Sequence, residues 1–413
     1  MTTRIEYIGA SFDGSGYGEA ARGYIAALAD AGADVRLRFV SFEQVRPDLG
    51  EFGGWMASRV DTEPTTTAQV RVLHTTPDNW PGMLGAMPEA ARAVPTVGYC
   101  AWETDQPPAA WIQAINSSGI RMLLVPSRQN VEAFRSAGVS PSIPIHRLAH
   151  AVRDIPTRTP PSAFVGSFNI DTNVLMENKA AIERATNTEI SVSPGATLPR
   201  DGRYRFLSIF QWTERKNPLG LLKAYLTEFR DTDQVSLVLK TYLLHGGPEE
   251  RKQIKSWIDE VKRGLWLTHY PRVEVIVQSL SSADIHQLVH DCDAYVSLHR
   301  QEGFGLPIAE AMMAGKPVIA TGFGGPAEFG LPIDCQVGYQ KTPVFGMPWA
   351  TYSGRMSWAE PDLSRAKEMM RGFYASKSRT DELGAACREA ALRDFAPSVV
   401  GAQMMGLLNE AMR

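Results

Sequence analysis

At 413 residues the chain is too long for one ordinary hydrophobic core and suits two domains of middling size. Apolar residues at 44% and charged residues at 21% exclude a disordered or collagen-like class. The net charge of −3 leaves no basic excess to advertise nucleic acid or an anionic membrane, and the first 155 residues hold 13 Arg and no Lys against 16 acids.

No apolar run approaches the roughly 20 residues that span a bilayer. The opening "MTTRIEYIGASFDGSG" lacks a small-residue cleavage site and reads as a first strand, so a cytoplasmic location is expected. Cys100, Cys292, Cys335 and Cys387 are far apart, without metal-ligand or redox-pair spacing, and read as buried thiols in a reducing compartment.

In chain order, "RIEYIGA", "ADVRLRFV", "AQVRVLH", "VPTVGYC" and "IRMLLVP" are β-branched runs that predict buried strands. Between them "YGEAARGYIAALADAG" and "SRQNVEAFRSAG" predict helices that close on Gly. A stretch rich in Pro, Thr, Ser and Asn follows, and marks a linker or insert over 156–203. A second alternating series then begins, with strands at "YRFLSIF", "VSLVLKT", "RVEVIV", "CDAYVSL" and "KPVIAT" and helices at "PLGLLKAYLTEF", "SADIHQLVHD" and "PIAEAMMAG". Two α/β domains are expected, 1–155 and 204–385, each a doubly wound parallel sheet. The final segment, 386–413, carries Val400, Met404 and Leu408 on one helical face and is expected to pack back toward the first domain. Such sheets bind ligands outside the carboxyl ends of their strands, so function belongs in the loops that follow strands.

The loop in "SLHRQEGFGLPIAEAMMAG" puts Gly303, Phe304, Gly305 and Leu306 at the start of a helix, with Pro307 suited to its first position and Gly315 at its end. Unpaired amides there can hold a phosphate. Two carboxylates beside such a site are reconciled if they take hydroxyls on either side of a diphosphate: Glu302 toward a sugar, and Glu310, in the first turn, toward a ribose diol. The plain alternative is that Glu310 complements the helix dipole.

"EGFGLPIAEAMMAGKPVIATGFGGPAEF" resembles the signature of the retaining GT-B glycosyltransferases of family four, whose hallmark is two Glu separated by seven residues. "FLSIFQWTERKNPLGLLKAY" is similar to the family's strand, basic loop and helix, and "WAEPD" to its late segment. "GYCAWETDQPP" and "LLVPSRQNVEAFRSAGV" are similar to its acceptor half. The resemblance implies two Rossmann-like domains facing across a cleft, and transfer of a sugar from a nucleoside diphosphate donor such as a UDP- or GDP-sugar to an acceptor hydroxyl. It implies retention at the anomeric carbon and no metal or further cofactor. Lys216, with Arg215, then neutralises the leaving diphosphate. The sequence departs from the family at Gln211, where many members carry an Arg five residues before the Lys. Gly16, in "FDGSGYGEAARG", fits the glycine loop of the N-terminal domain, and Gly324 and Gly325 follow a strand near phosphate or sugar; Glu328 is a helix-cap alternative. On the acceptor side many relatives place a His after the fourth strand, where this chain has Trp102 and Glu103; Glu103 either orients the acceptor or pairs with an Arg. His74 and His150 follow strands and are placed to face the cleft.

"DCD" (Asp291 to Asp293) lies between a helix and the start of a strand, on the wrong side for a metal motif. A sugar-nucleotide-binding protein without turnover is the main alternative. A nicotinamide dehydrogenase is weaker, because Gly14 and Gly16 are followed three residues later by Glu19 and not by Gly.

Overall fold

The computed structural model describes residues 2–41, 49–61, 63, 65–155, 167–170 (backbone only), 201–243, 248–277, 280–347 and 351–413. The first sheet is built from β1 (Arg4–Gly9), β2 (Asp34–Phe39), β3 (Val70–His74), β4 (Thr96–Tyr99), β5 (Met122–Val125) and β6 (Ile145–Arg147). All six run parallel, in the order β2-β1-β3-β4-β5-β6. Strand order reverses between β1 and β3, so the loops after these two strands border a crevice.

The second sheet begins with β7 (Ser167–Ile170), a short edge strand contributed by the 156–203 segment. The rest of that segment lies outside the described residues, apart from 201–203. Its remaining strands are β8 (Tyr204–Gln211), β9 (Val235–Tyr242), β10 (Arg272–Ile276), β11 (Ala294–Ser297), β12 (Val318–Thr321) and β13 (Gln336–Val337). The order is β13-β12-β11-β8-β9-β10-β7, parallel except for the antiparallel β10–β7 pair. The chain leaves β8 toward β10 on one side and resumes at β11 on the other. The point of reversal is therefore the gap between β8 and β11. A hairpin of β14 (Tyr339–Pro343) and β15 (Ser357–Pro361) projects beyond this sheet.

The strands sit where β-branched and aromatic runs place them, because both faces of a parallel sheet are covered by helices and demand continuous apolar sequence. Each sheet has its own core. One gathers Tyr7, Val72, Val97 and Leu124, the other Phe206, Leu237, Val275 and Val296. The expected boundary at 385/386 falls inside a helix, Lys377–Phe395, whose Ala390, Ala391 and Phe395 belong to the second core. The chain crosses back only at Pro397. There the Pro397–Ala411 helix lays Val400, Met404 and Leu408 into the first core against the Gly16–Asp30 helix. Gly401 permits that approach, since a Cβ on it would lie 2.4 Å from the carbonyl oxygen of Ala27.

Polar contacts also join the two halves. Glu328 accepts from the amides of Arg128 and Gln129 at 2.5 and 3.4 Å and pairs with Arg147 at 2.8 Å. It is thus a helix cap, but for a helix of the other domain, Arg128–Ser136, whose positive end favours a carboxylate. Asp154 pairs with Arg388 at 2.9 Å, and Asp105 accepts from the amide of Ser357 at 2.9 Å.

Candidate active site

The site is assembled at the reversal between β8 and β11. After β8 the chain turns through Glu214–Lys216 and starts a helix at Pro218. Asn217, at φ 53°, caps that helix through Gly220, and its side-chain amide donates to the carbonyl of Leu298 just past β11 at 2.9 Å. The backbone carbonyl of Arg215 accepts from the amide of Arg300 at 2.9 Å. These bonds tie the basic turn after β8 to the loop after β11, and so bring Lys216 and Glu302 together across 86 residues of sequence.

Glu302 is buried. Lys216 Nζ donates to its Oε1, and Arg215 Nη1 donates to its Oε2 at 3.3 Å. Burial alone would raise its carboxyl, but Lys216 and Arg215, helped by His299, outweigh that and hold it at about 2. Burial pushes the Lys216 ammonium down, opposed by Glu302. For Arg215 burial opposes the charge, yet Glu103 and Glu302 keep it above its ordinary value. Both cations are thus held ready beside one carboxylate.

The helix that follows spans Leu306–Met313. Its cap is Gly305 at φ 100°, a conformation that only glycine adopts without strain, so Leu306 is its first residue and Pro307 its second. Gly315, at φ 73°, ends it: its amide donates to Met312 and that of Lys316 to Ala311, both at 2.9 Å. Gly324 and Gly325 lie against this loop. Cβ atoms on them would sit 2.3 Å from the carbonyl oxygens of Glu302 and Phe304, which explains both glycines by close backbone approach.

Glu310 belongs to the second turn, not the first, so the helix-dipole alternative loses its geometry. It is half-buried, and its charged neighbours are Glu19 and Arg22 of the Gly16–Asp30 helix of the other domain. Burial, then the Glu19 carboxylate, raises its carboxyl to about 8, with Arg22 opposing. Gly16 opens that facing helix; a Cβ there would meet nothing within 4 Å, so its Cα borders open space.

The acceptor-side candidates separate. Trp102 is buried: its indole donates to Thr104 at 2.8 Å and its ring stacks on Tyr352 at 5.2 Å. Glu103 pairs with Arg215 at 3.7 Å and accepts from the Tyr352 hydroxyl at 2.8 Å. His74 does not face an open cleft. It is sealed among Tyr7, Tyr17, Tyr24 and Tyr99, with Nδ1 2.6 Å from the Tyr7 hydroxyl, and burial keeps it neutral. His150 is also buried, 2.7 Å from the Tyr99 hydroxyl, and is pushed down to about 3. Its ring crosses the domain boundary to Phe304, with centroids 4.3 Å apart.

Two neighbours of the site went unrecognised in the sequence. Tyr352 lies 249 residues from the carboxylate it holds, and His299 donates to or accepts from Ser297 while facing the carbonyl of Phe323 at 3.1 Å. Asp293, of the "DCD" stretch, accepts from the amide of Arg205 at 2.8 Å, and no cluster of three or more His, Cys, Asp or Glu suited to a metal occurs among the described residues. Nor is any described helix long and apolar enough to cross a membrane.

Two facing doubly wound sheets with a charged site at the reversal of one define a GT-B fold. Solved structures agree along the whole chain. Anabaena HepE in complex with UDP superposes with a TM-score of 0.64 at 14% identity, covering 99% of this chain and 100% of that one. The sucrose-phosphate synthase of Thermosynechococcus elongatus gives 0.58 at 16% identity, covering 99% and 98%. Residues 193–330, which include Arg215, Lys216, Glu302, Glu310, Gly324 and Gly325, match the model of the glycosyl transferases group 1 family. Maize sucrose synthase 2 is 30% identical over 118 residues, 27% of this chain. The chain spans only 14% of that relative's length, and 37% of a putative glycosyltransferase, ORF330, of Acidianus filamentous virus 2, 26% identical over 138 residues.

Proposed function

We propose that the protein is a retaining glycosyltransferase of family four that moves a hexosyl unit from a nucleoside diphosphate sugar to an acceptor hydroxyl. The observation that carries this reading is the meeting of Lys216, Arg215 and Glu302 with the glycine-capped helix start at the β8–β11 reversal. HepE, which shares the fold, was crystallised with UDP and with UDP-glucose, and this supports a nucleotide sugar as donor.

In this reading the ammonium of Lys216 and the amides after Gly305 take the diphosphate as charge develops on it, work that a divalent ion performs elsewhere. Glu302, ionised at any physiological pH, accepts from hydroxyls of the transferred sugar. Glu310 takes the ribose diol, and in its protonated form sets no negative charge beside the diphosphate. The acceptor hydroxyl attacks the anomeric carbon from the leaving-group face, and its proton passes to the departing diphosphate oxygen. No side chain needs to bond the sugar covalently. Closure of the two domains excludes water. A cytoplasmic location fits a soluble donor.

The test is nucleoside diphosphate release from UDP-, GDP- and ADP-sugars without acceptor. Slow hydrolysis of one donor, lost in Glu302→Gln, supports transfer chemistry. Tight binding of a donor with no turnover, with or without an acceptor panel, would make the chain a sugar-nucleotide-binding protein instead.

A further inference from the structure

Among the side chains of the site each cation already has a carboxylate. Lys216 and Arg215 face Glu302, and Arg215 also faces Glu103, so two positive and two negative side chains sum to zero. A diphosphate brings about two negative charges into this half-buried place. Keeping all four side chains paired as they stand would leave those charges uncompensated in a medium of low dielectric, which is costly. One carboxylate has to yield a cation.

The geometry decides which. Glu302 is gripped by both cations, with Arg215 at 3.3 Å, and its side chain is 10% exposed. Glu103 holds Arg215 at 3.7 Å, is 26% exposed, and belongs to the other domain. It also has a second partner, the Tyr352 hydroxyl at 2.8 Å, so losing Arg215 does not strand it. Tyr352 is itself fixed by stacking on Trp102.

We infer that Arg215 is a counterion exchanger: an incoming nucleoside diphosphate takes it from Glu103, which stays pinned by Tyr352 as a free carboxylate on the acceptor wall. This deepens the proposed function and rests on it. The exchange imposes an order. Before the donor binds, Glu103 is occupied by Arg215; afterwards it can accept from a sugar hydroxyl. Glu103 is a positioning residue in this scheme, and a competitor of the diphosphate.

The experiment is calorimetric titration of UDP, with GDP and ADP alongside, into the full chain and its Glu103→Gln and Glu103→Asp forms. Glu103→Gln keeps the size of the side chain and a partner for Tyr352 but removes the competing charge. Affinity for the nucleotide that binds wild type is expected to rise about three- to fivefold, the upper part of the range of one partly exposed ion pair. Glu103→Asp keeps the charge and stays within about twofold of wild type. A merely structural Glu103 would lower affinity or leave it unchanged in Glu103→Gln, and either result overturns the exchange. If no nucleotide binds wild type at all, the reading beneath falls and takes the exchange with it, an outcome distinct from binding that Glu103→Gln fails to strengthen.

Discussion

The raised carboxyl of Glu310 makes a stability prediction that needs no substrate. Its folded value is about 8 against an ordinary 4.5, so between these the folded chain holds a proton that the unfolded chain has released. Stability therefore falls as pH rises through that window. Buried His74, His150 and His299 act in the opposite direction while their unfolded forms titrate around pH 6.5, as does Lys240 toward pH 8, so the Glu310 effect is read over pH 6.5 to 8 as the difference between wild type and a Glu310→Gln form, in which those groups cancel. Integrating the proton difference over that interval gives a loss of about 1.6 kcal/mol from this one group. Urea unfolding of wild type and Glu310→Gln at half-unit pH steps measures it: the stability of wild type relative to the Gln form is expected to fall by that amount. Parallel curves would refute the burial and the Glu19 repulsion argued for this residue.

Gly324→Ala forces a Cβ to 2.3 Å from the carbonyl oxygen of Glu302, at φ 74° and ψ −151° where only glycine is at ease. A loss of at least about 1–3 kcal/mol in thermal or urea unfolding is expected, together with weaker nucleotide binding because the Glu302 loop must move. On the acid side, His74 and His150 refuse protons that the unfolded chain accepts, so stability declines below about pH 6.5. His150→Gln should make that slope shallower by up to about 1.4 kcal/mol per pH unit; an unchanged slope would mean that His150 is protonated in the folded chain. Lys216→Met should cut turnover of the preferred donor by about a hundredfold or more, by analogy with removal of a charge-stabilising donor. A kcat within a few-fold of wild type would take Lys216 out of the chemistry.

Much of the fold was legible because parallel strands covered on both faces need unbroken apolar runs, and "VSLVLKT" or "IRMLLVP" admit little else. The glycine-capped helix start was legible for a similar local reason: Gly305 and Gly315 both occupy left-handed positions that their neighbours' sequence requires. What bridges the domains was not. Nothing near Glu328 says that it caps a helix some 200 residues earlier, and the hold of Tyr352 on Glu103 depends on where a hairpin tip lands. His74 is the last residue of a strand whose end is roofed by tyrosines from three other segments, so a position that reads as open in sequence is sealed in the fold. The boundary at 385/386 failed for a different reason: one long helix carries its apolar face to the second core through Phe395, and the break comes only at Pro397.

Crystals of the protein grown with the nucleoside diphosphate it binds best address the central claim directly. The account predicts the terminal phosphate within hydrogen-bond distance of Lys216 Nζ and of amides at the start of the Leu306–Met313 helix, with the ribose on Glu310. A nucleotide lodged away from the β8–β11 reversal, or one bound there with Lys216 Nζ turned from the phosphates, would contradict it.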